Sequence, residues 1–253
     1  MDSTGPADNE IVRALGRCVC ALLFLAGGVL FAQVAQPLLI RHATVIDVTG
    51  RPAELDRAVL IEHHRITVVG ASASVPVPEG AQVIDATGKY LIPGLWDMHI
   101  HMRGSLKDSK VDFVKENEAV LPLYVVNGIT GVREMGGDMA DAVMRWRSEV
   151  EGGERLAPRI ATCGPKLDGP KPEWPGSIAI STPDEGRAAV RRVKAMGAEF
   201  VKVYNEVPNI PREAYLAILD DAKHQNLRVT GHVPLTLTVE EVSKAGQNIE
   251  HFN

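Results

Sequence analysis

From residue 91 onward, short apolar runs that are typical of strands alternate with longer segments that have a helical period. We count six strand patterns and five helix patterns, most of them joined by short links. Strands that alternate with helices pair in parallel and are covered by those helices. The alternation predicts an α/β fold, either an open doubly wound sheet or an incomplete (β/α)8 TIM-type barrel with about six strands present.

Potential metal ligands stand near the carboxyl ends of four predicted strands. They are His99 and His101 on the first strand, Lys202 on the fourth, His232 on the fifth and His251 on the sixth. In a flat sheet such residues lie along a line, whereas the strand ends of a closed barrel surround one mouth. The constellation therefore favours the barrel and predicts a metal site, because imidazole is a common metal ligand.

The first strand, LIPGLWDMHIHM, has a period of two. His99 and His101 share one face, with Asp97 behind them. The other face is expected to pack against covering helices and carries Trp96, Met98, Ile100 and Met102. Taken alone, His-x-His is also compatible with two hydrogen-bonded histidines of a core or a surface. The matching histidines on later strands favour metal binding.

Lys202 allows two interpretations. Most lysines lie at the surface or in an ion pair, and a protonated amine repels a metal ion. Alternatively, the amine of Lys202 has reacted with carbon dioxide to give an anionic carbamate, whose two oxygens can bridge two metal ions. Composition does not decide between the two.

The segments LIPGLWDMHIHM, NGITGVREMGG, VKVYNE, TGHV and IEHF occur in this order. Together they resemble the amidohydrolase superfamily, and within it the imidazolonepropionase-like metal-dependent hydrolases. The resemblance implies two divalent metal ions, usually zinc. It assigns His99 and His101 to one ion, His232 and His251 to the other, and carboxylated Lys202 to the bridge between them.

The same resemblance implies a function. It predicts a hydrolase that cleaves amide-like C–N bonds, in peptides or cyclic amides, with a hydroxide that bridges the two metals. The substrate is then a small molecule or a dipeptide-like compound. A net charge of −5 without a long basic run argues against a nucleic acid as partner. A homo-oligomer is compatible with the sequence.

One part of the family pattern has no counterpart in these residues. Relatives continue past the sixth strand, and an aspartate on the eighth strand completes the first metal site and moves the proton. No position up to Asn253 matches that aspartate. We therefore expect a C-terminally truncated chain that is inactive or incomplete as a fragment. The alternatives are a mononuclear deaminase-type relative with an uncarboxylated Lys202 and a non-catalytic, metal-binding fragment.

The chain divides into three predicted regions: residues 1–35, a signal peptide or anchor; residues 36–90, a small β-sandwich-like module; and residues 91–253, the partial barrel. The uncharged apolar run 18–32 follows Arg13 and Arg17 and precedes small residues, a pattern typical of a secretory signal. It predicts export to the periplasm or the extracellular space. If the segment is not cleaved, it anchors the protein, and this is then the protein's only membrane contact.

Three further residues are candidates for contact with substrate. Tyr204 follows Lys202 on the same strand face and either touches substrate or packs in the barrel. Arg133, on the second strand, binds a substrate carboxylate or forms a structural ion pair. Trp174 lies in a long link rich in proline and glycine, the kind of segment that often covers a barrel mouth.

Overall fold

The computed structural model describes residues 36–104, 111–204 and 208–251, and the chain divides after Pro93 into two units. The predicted leader lies outside the described residues. Within the described ranges, every helix is too short or too polar to reach across the hydrocarbon core of a bilayer.

In the first unit, alternating Val, Leu and Ile residues form one mixed five-stranded sheet. Its strands are β1 (Leu38–Val45), β2 (Glu54–Glu62), β3 (Arg65–Ala71), β4 (Gln82–Asp85) and β5 (Tyr90–Leu91). The order is β3-β2-β1-β4, and β5 pairs with the second half of β1. The first three strands are antiparallel, whereas β4 and β5 run parallel to β1. Leu39, Ala58, Leu60 and Val75 form a small core.

The second unit alternates parallel strands with helices. The strands are β6 (Leu95–Ile100), β7 (Ile129–Glu134), β8 (Arg159–Thr162), β9 (Leu167–Asp168), β10 (Ile178–Ala179), β11 (Phe200–Val203), β12 (Arg228–Gly231) and β13 (Asn248–Ile249). The helices are α1 (Phe113–Val126), α2 (Ala140–Glu151), α3 (Pro183–Ala195), α4 (Arg212–His224) and α5 (Val239–Lys244). The strand–helix alternation confirms the predicted α/β class.

The parallel strands of this unit fall into two sheets, ordered β6-β7-β8 and β10-β9-β11-β12-β13. The six predicted strands correspond to β6, β7, β8, β11, β12 and β13. The long link between the third strand and its helix was predicted as a loop, but it contains β9 and β10, and β9 pairs with β11. Among the described strands the barrel is not closed, since β6 pairs only with β7 and β13 only with β12.

The Thr-x-x-Glu spacing at Thr182 and at Thr238 predicts a capping box at the start of two helices, and the structure confirms both. The hydroxyls of Thr182 and Thr238 accept hydrogen bonds from the backbone N–H groups of Glu185 and Glu241, and each glutamate bonds back to the threonine N–H. These capping boxes satisfy N–H groups that the first turn of a helix leaves unpaired. They fix where α3 and α5 begin.

The residue type of Asp138 and its position just before the helical pattern of α2 predict an N-cap there, and this prediction is wrong. The helix begins at Ala140, and no side chain caps it. The carboxylate of Asp138 forms an ion pair with the ammonium of Lys166, and both side chains are almost fully buried. A buried ammonium needs a carboxylate partner more than a helix end needs a cap, because an unpaired buried charge costs more than an unpaired N–H group.

Helices cover the outer faces of the strands unevenly. Val201, Val203 and Val229 pack with residues of α3 and α4 in the larger core, and Val132, Ile160 and Trp146 belong to a second one. On β6 the prediction that one face packs under helices is right for Ile100 and Met102, which are buried. It is wrong for Trp96 and Met98, which are 43% and 52% exposed. The reason is that β6 is an edge strand here, and no described helix covers them.

Gly231, directly before His232, lets two strands approach closely. Its φ is +131°, and a Cβ atom built there would lie 2.1 Å from the carbonyl oxygen of Val203 on β11. A side chain at this position would therefore separate β11 from β12. Since His232 follows and Lys202 lies on β11, this glycine sets the spacing between two candidate site residues.

We expect Gly231→Ala to lower the free energy of unfolding by about 3 kcal/mol or more, because it adds both backbone strain and a backbone clash. Gly246→Ala is the matched control, since Gly246 also has a positive φ of +91° but has no atom within 4 Å of the added carbon. This control should lose only about 1 kcal/mol. Chemical denaturation measures both values, and equal losses would contradict the packing argument.

Candidate metal centre

Four imidazole rings lie against one another at the carboxyl ends of β6, β12 and β13. The Nε2 atoms of His99 and His101 are 3.1 Å apart, and the two rings stack with centroids 5.2 Å apart. The ring centroid of His251 is 4.7 Å from that of His99 and 4.8 Å from that of His232. The structure thus brings together the four histidines that the sequence singled out.

The protonation state of three of these rings, those of His101, His232 and His251, suits metal binding. Burial, and then the nearby charge of Lys202, lowers the pKa of His101 and of His232 to about 4, and burial also lowers the pKa of His251. A neutral imidazole keeps a lone pair for a metal, whereas an imidazolium does not. Two nitrogens on one tetrahedral zinc ion lie about 3.3 Å apart, close to the 3.1 Å between the Nε2 atoms of His99 and His101.

Lys202 lies on β11 with its side chain fully buried. Within the described ranges its amine has no hydrogen-bond partner. Burial lowers the pKa of this amine to about 8. The charge of Lys202 lowers the pKa of three of the four histidines, so Lys202 lies beside the same cluster. A buried amine without an acceptor indicates that a further group completes its surroundings.

A carboxylate that the sequence analysis missed, Glu250, joins the two sheets at this cluster. Its Oε2 atom lies 2.9 Å from Nδ1 of His99, and its Oε1 atom accepts hydrogen bonds from Arg133, at 2.5 Å, and from the hydroxyl of Thr230. Burial raises the pKa of Glu250, but the hydrogen bonds from Thr230, His99 and Arg133 outweigh it, and the pKa lies below its usual value. Glu250 is therefore an ionised acceptor that links β6 and β7 to β12.

A second missed carboxylate, Glu134, holds the backbone after His101. It is fully buried at the end of β7 and accepts hydrogen bonds from the N–H groups of Met102, Gly136 and Gly137. The hydroxyl of Thr162 on β8 also points at it, at 3.4 Å. An acidic residue at the end of an apolar strand was the signal that could have identified both Glu134 and Glu250.

A small cavity of about 70 Å³ lies beside His101 and is also lined by Arg103, Asp138, Lys166, Trp174 and Tyr204. The Lys166 ammonium lies 5.8 Å from the ring centroids of Trp174 and Tyr204. The Tyr204 ring meets His232 edge-on, with centroids 4.5 Å apart. Tyr204 and Trp174 thus lie beside the histidine cluster, which sequence reasoning anticipated, while Lys166 and Asp138 were not anticipated.

Arg133 was given two interpretations, a partner for a substrate carboxylate or a structural ion pair. The structure places it in an ion pair with Glu250, and its Nε atom donates to the carbonyl oxygen of Met98 at 2.7 Å. Its guanidinium also lies over the ring of Phe200. The Arg133 guanidinium therefore has its ion-pair and hydrogen-bond partners within the protein, which corresponds to the second interpretation.

Within residues 36–104, 111–204 and 208–251, no three His, Cys, Asp or Glu side chains are arranged as ligands of a single metal ion. The imidazoles instead form a close pair, His99 and His101, and a neighbouring contact between His232 and His251. Each pair leaves coordination positions to be filled, and Lys202 is the buried group beside them. The donor set therefore fits metal ions only if further ligands complete the coordination of each pair.

This α/β unit has imidazoles and a buried lysine at the carboxyl ends of its parallel strands. Proteins of the (β/α)-barrel type have their sites at these strand ends. The chain belongs to the amidohydrolase family, whose model matches residues 90–252. Proteins of this family generally bind metal ions. An adenine deaminase of Rubrobacter xylanophilus is 28% identical over 176 residues, which are 69% of this chain and 27% of the deaminase.

Other relatives carry different names. A dihydroorotase of Trichlorobacter lovleyi is 36% identical over 96 residues, which are 38% of this chain and 21% of that protein. A solved structure assigned as a prolidase of Bifidobacterium longum matches with a TM-score of 0.66 and 25% identity, over 84% of this chain and 52% of that one. The chain thus spans about half of this solved relative and about a quarter of the curated relatives.

The lowered pKa of His232 predicts how stability depends on pH in the metal-free protein. His232 is 8% exposed, and burial lowers the pKa of its ring from 6.5 to about 4. Between these values the unfolded chain binds a proton that the folded chain does not. The free energy of unfolding therefore falls as the pH drops through this window, by up to about 1.4 kcal/mol per pH unit.

Denaturation of metal-free protein at pH 7, 6 and 5 measures this slope. We expect His232→Gln to flatten it, whereas His224→Gln, at an exposed position of α4, is the matched control for the loss of one imidazole. Equal slopes in wild type and His232→Gln would contradict the assignment of a buried, neutral ring.

Proposed function

We propose that this chain carries the binuclear metal centre of a hydrolase that cleaves amide-like C–N bonds. The observation that carries the proposal is the convergence of four imidazoles on a buried amine that has no hydrogen-bond partner in the described residues. His99 and His101 would hold one divalent ion, His232 and His251 the other, and zinc suits such imidazole ligands. Ions held there supply an acidified water molecule and a polarised carbonyl.

Lys202 is proposed to bridge the two ions as a carbamate. Only a neutral amine attacks carbon dioxide, and with a pKa of about 8 roughly a quarter of the amine is neutral at pH 7.5. The attack forms an N–C bond, and the nitrogen loses one proton to solvent. The product is an anion, so it removes a buried positive charge that no described carboxylate contacts and adds oxygen ligands between the histidines.

The substrate side of the proposal rests on the cavity beside His101. Tyr204 and Trp174 provide aromatic walls, and the third N–H of Lys166 remains for a ligand after the bonds to Gly136 and Asp138. At about 70 Å³ this cavity has room for one small group of a ligand and not for a whole dipeptide. A small-molecule or dipeptide-like substrate would place one such group there. Adenine deaminases, dihydroorotases and prolidases, the names of the relatives reported above, all break C–N bonds with water.

A second candidate is a mononuclear deaminase-type activity, which the similarity to adenine deaminase favours. In that case Lys202 stays an amine, and one metal ion binds per chain. A third is a metal-binding chain without catalysis. Because the chain spans only part of its relatives, each of these activities is proposed for the protein to which these residues belong.

Lys202→Arg tests the leading proposal, since arginine keeps the charge and length but forms no carbamate. We expect wild-type protein loaded with zinc and bicarbonate to hold two ions per chain, and Lys202→Arg to hold at most one. Lys223→Arg, at an exposed position of α4, is the control and should hold two. Elemental analysis after gel filtration counts the ions.

The results separate the candidates. Two ions that survive Lys202→Arg would contradict the carbamate bridge. One ion in the wild type, with release of ammonia from 6-aminopurines and no cleavage of dipeptides or lactams, would replace the proposal by the deaminase. Two ions without turnover of any of these compounds, also in a version extended along the reading frame, would support the non-catalytic alternative.

We also propose that the protein is exported through residues 1–35. The uncharged run 18–32 behind Arg13 and Arg17 supports this, and the described residues do not include it. N-terminal sequencing of protein recovered from a bacterial periplasm is expected to begin shortly after Ala32 or Ala35. A mature protein that keeps Met1 at the membrane would favour the uncleaved anchor, and one that stays in the cytoplasm would contradict export.

A further inference from the structure

Glu250 makes contacts that no other described carboxylate makes, since it bonds to a candidate metal ligand and to residues of both sheets. His99 is on β6, Arg133 on β7 and Thr230 on β12. The Glu250 side chain is only 10% exposed. Three donors therefore hold one carboxylate in a fixed position against the His99 ring.

We propose that Glu250 is the positioning residue of the metal centre, which orients His99 so that its Nε2 atom faces the metal. This inference rests on the proposed metal centre. The Nδ1 atom of His99 lies 2.9 Å from Oε2 of Glu250, while Nε2 lies on the other side of the ring, beside His101. Glu250 is paired with the Arg133 guanidinium and accepts from the Thr230 hydroxyl, so it acts as an acceptor towards His99 as well. Nδ1 then carries the hydrogen, and Nε2 keeps its lone pair.

The other contacts of Glu250 explain why it can perform this role. Arg133 donates to Oε1 and also to the carbonyl oxygen of Met98, the residue before His99. The same arginine thus fixes the carboxylate and the backbone of the strand that carries the ring. Thr230 holds the carboxylate from β12, two residues before His232. Glu250 thereby couples the His99 pair to the half of the site on the second sheet.

The neighbouring Nε2 atoms of His99 and His101 are consistent with this tautomer. At 3.1 Å they are within hydrogen-bond distance, so one must carry a hydrogen and the other must accept it. With the His99 hydrogen on Nδ1, His101 donates from Nε2 in the metal-free protein. A shift of that hydrogen from Nε2 to Nδ1 of His101, which is a change of tautomer, leaves both Nε2 lone pairs available to a metal ion.

Glu250→Gln tests the inference, because it keeps the shape of the side chain but removes its charge and half of its acceptors. We expect zinc to bind about 10- to 100-fold more weakly at the first site, measured by competition with a chromophoric chelator. Glu240→Gln is the matched control, an exposed glutamate on α5 that forms an ion pair with Lys244 and should bind zinc like the wild type.

A second measurement needs no variant. Long-range ¹H–¹⁵N spectra of metal-free wild-type protein with labelled histidine report which ring nitrogen carries the hydrogen. We expect Nδ1–H at His99, with its assignment taken from the loss of that signal in His99→Gln. This readout keeps the inference testable if Glu250→Gln does not fold, as judged by its melting curve.

An Nε2–H tautomer at His99, or unchanged zinc affinity in folded Glu250→Gln, would overturn the positioning role and leave the proposed metal centre standing. Absence of zinc binding in the wild type would instead overturn the proposed function, and the tautomer would still report whether Glu250 orients the ring. The two failures are therefore distinguishable.

Discussion

A buried amine among four imidazoles is the constraint on which the rest of this site depends. Lys202 is fully buried, and no described carboxylate or carbonyl accepts a hydrogen bond from it. Burying a cation without a partner is costly, and the lowered pKa values of Lys202, His101 and His232 express that cost. The carbamate with two bound metal ions that we propose would resolve it, because it would convert the amine into an anion and give every imidazole lone pair a partner.

The surrounding fold supports this arrangement with fixed polar contacts. Glu134 accepts hydrogen bonds from backbone N–H groups that follow β6 and β7. Glu250 connects this sheet to β12, because it accepts hydrogen bonds from both Arg133 and Thr230. Gly231 allows β11 and β12 to approach so that Lys202 and His232 lie near each other. Ligands from both sheets can thus face one point although the described strands do not form a closed barrel.

The sequence was sufficient to predict the features that depend on local patterns. Strand period placed His99 and His101 on one face, and threonine–glutamate spacing located the starts of α3 and α5. It was not sufficient where tertiary partners decide. Asp138 is of a residue type that often caps helices, yet its carboxylate forms an ion pair with Lys166 instead. Glu250 stands next to His251, so strict alternation would turn it away from the cluster, but β13 ends at Ile249 and both side chains reach the site. The exposure of Trp96 and Met98 depends on which elements cover β6, which no local pattern encodes.

Anomalous diffraction from crystals of the zinc-loaded protein, recorded at the zinc absorption edge, tests the central claim most directly. We expect two peaks, one within bonding distance of His99 and His101 and one within bonding distance of His232 and His251. Density should extend from Nζ of Lys202 as a carbamate between them. A single peak, or zinc bound away from these histidines with an unmodified Lys202, would contradict the account.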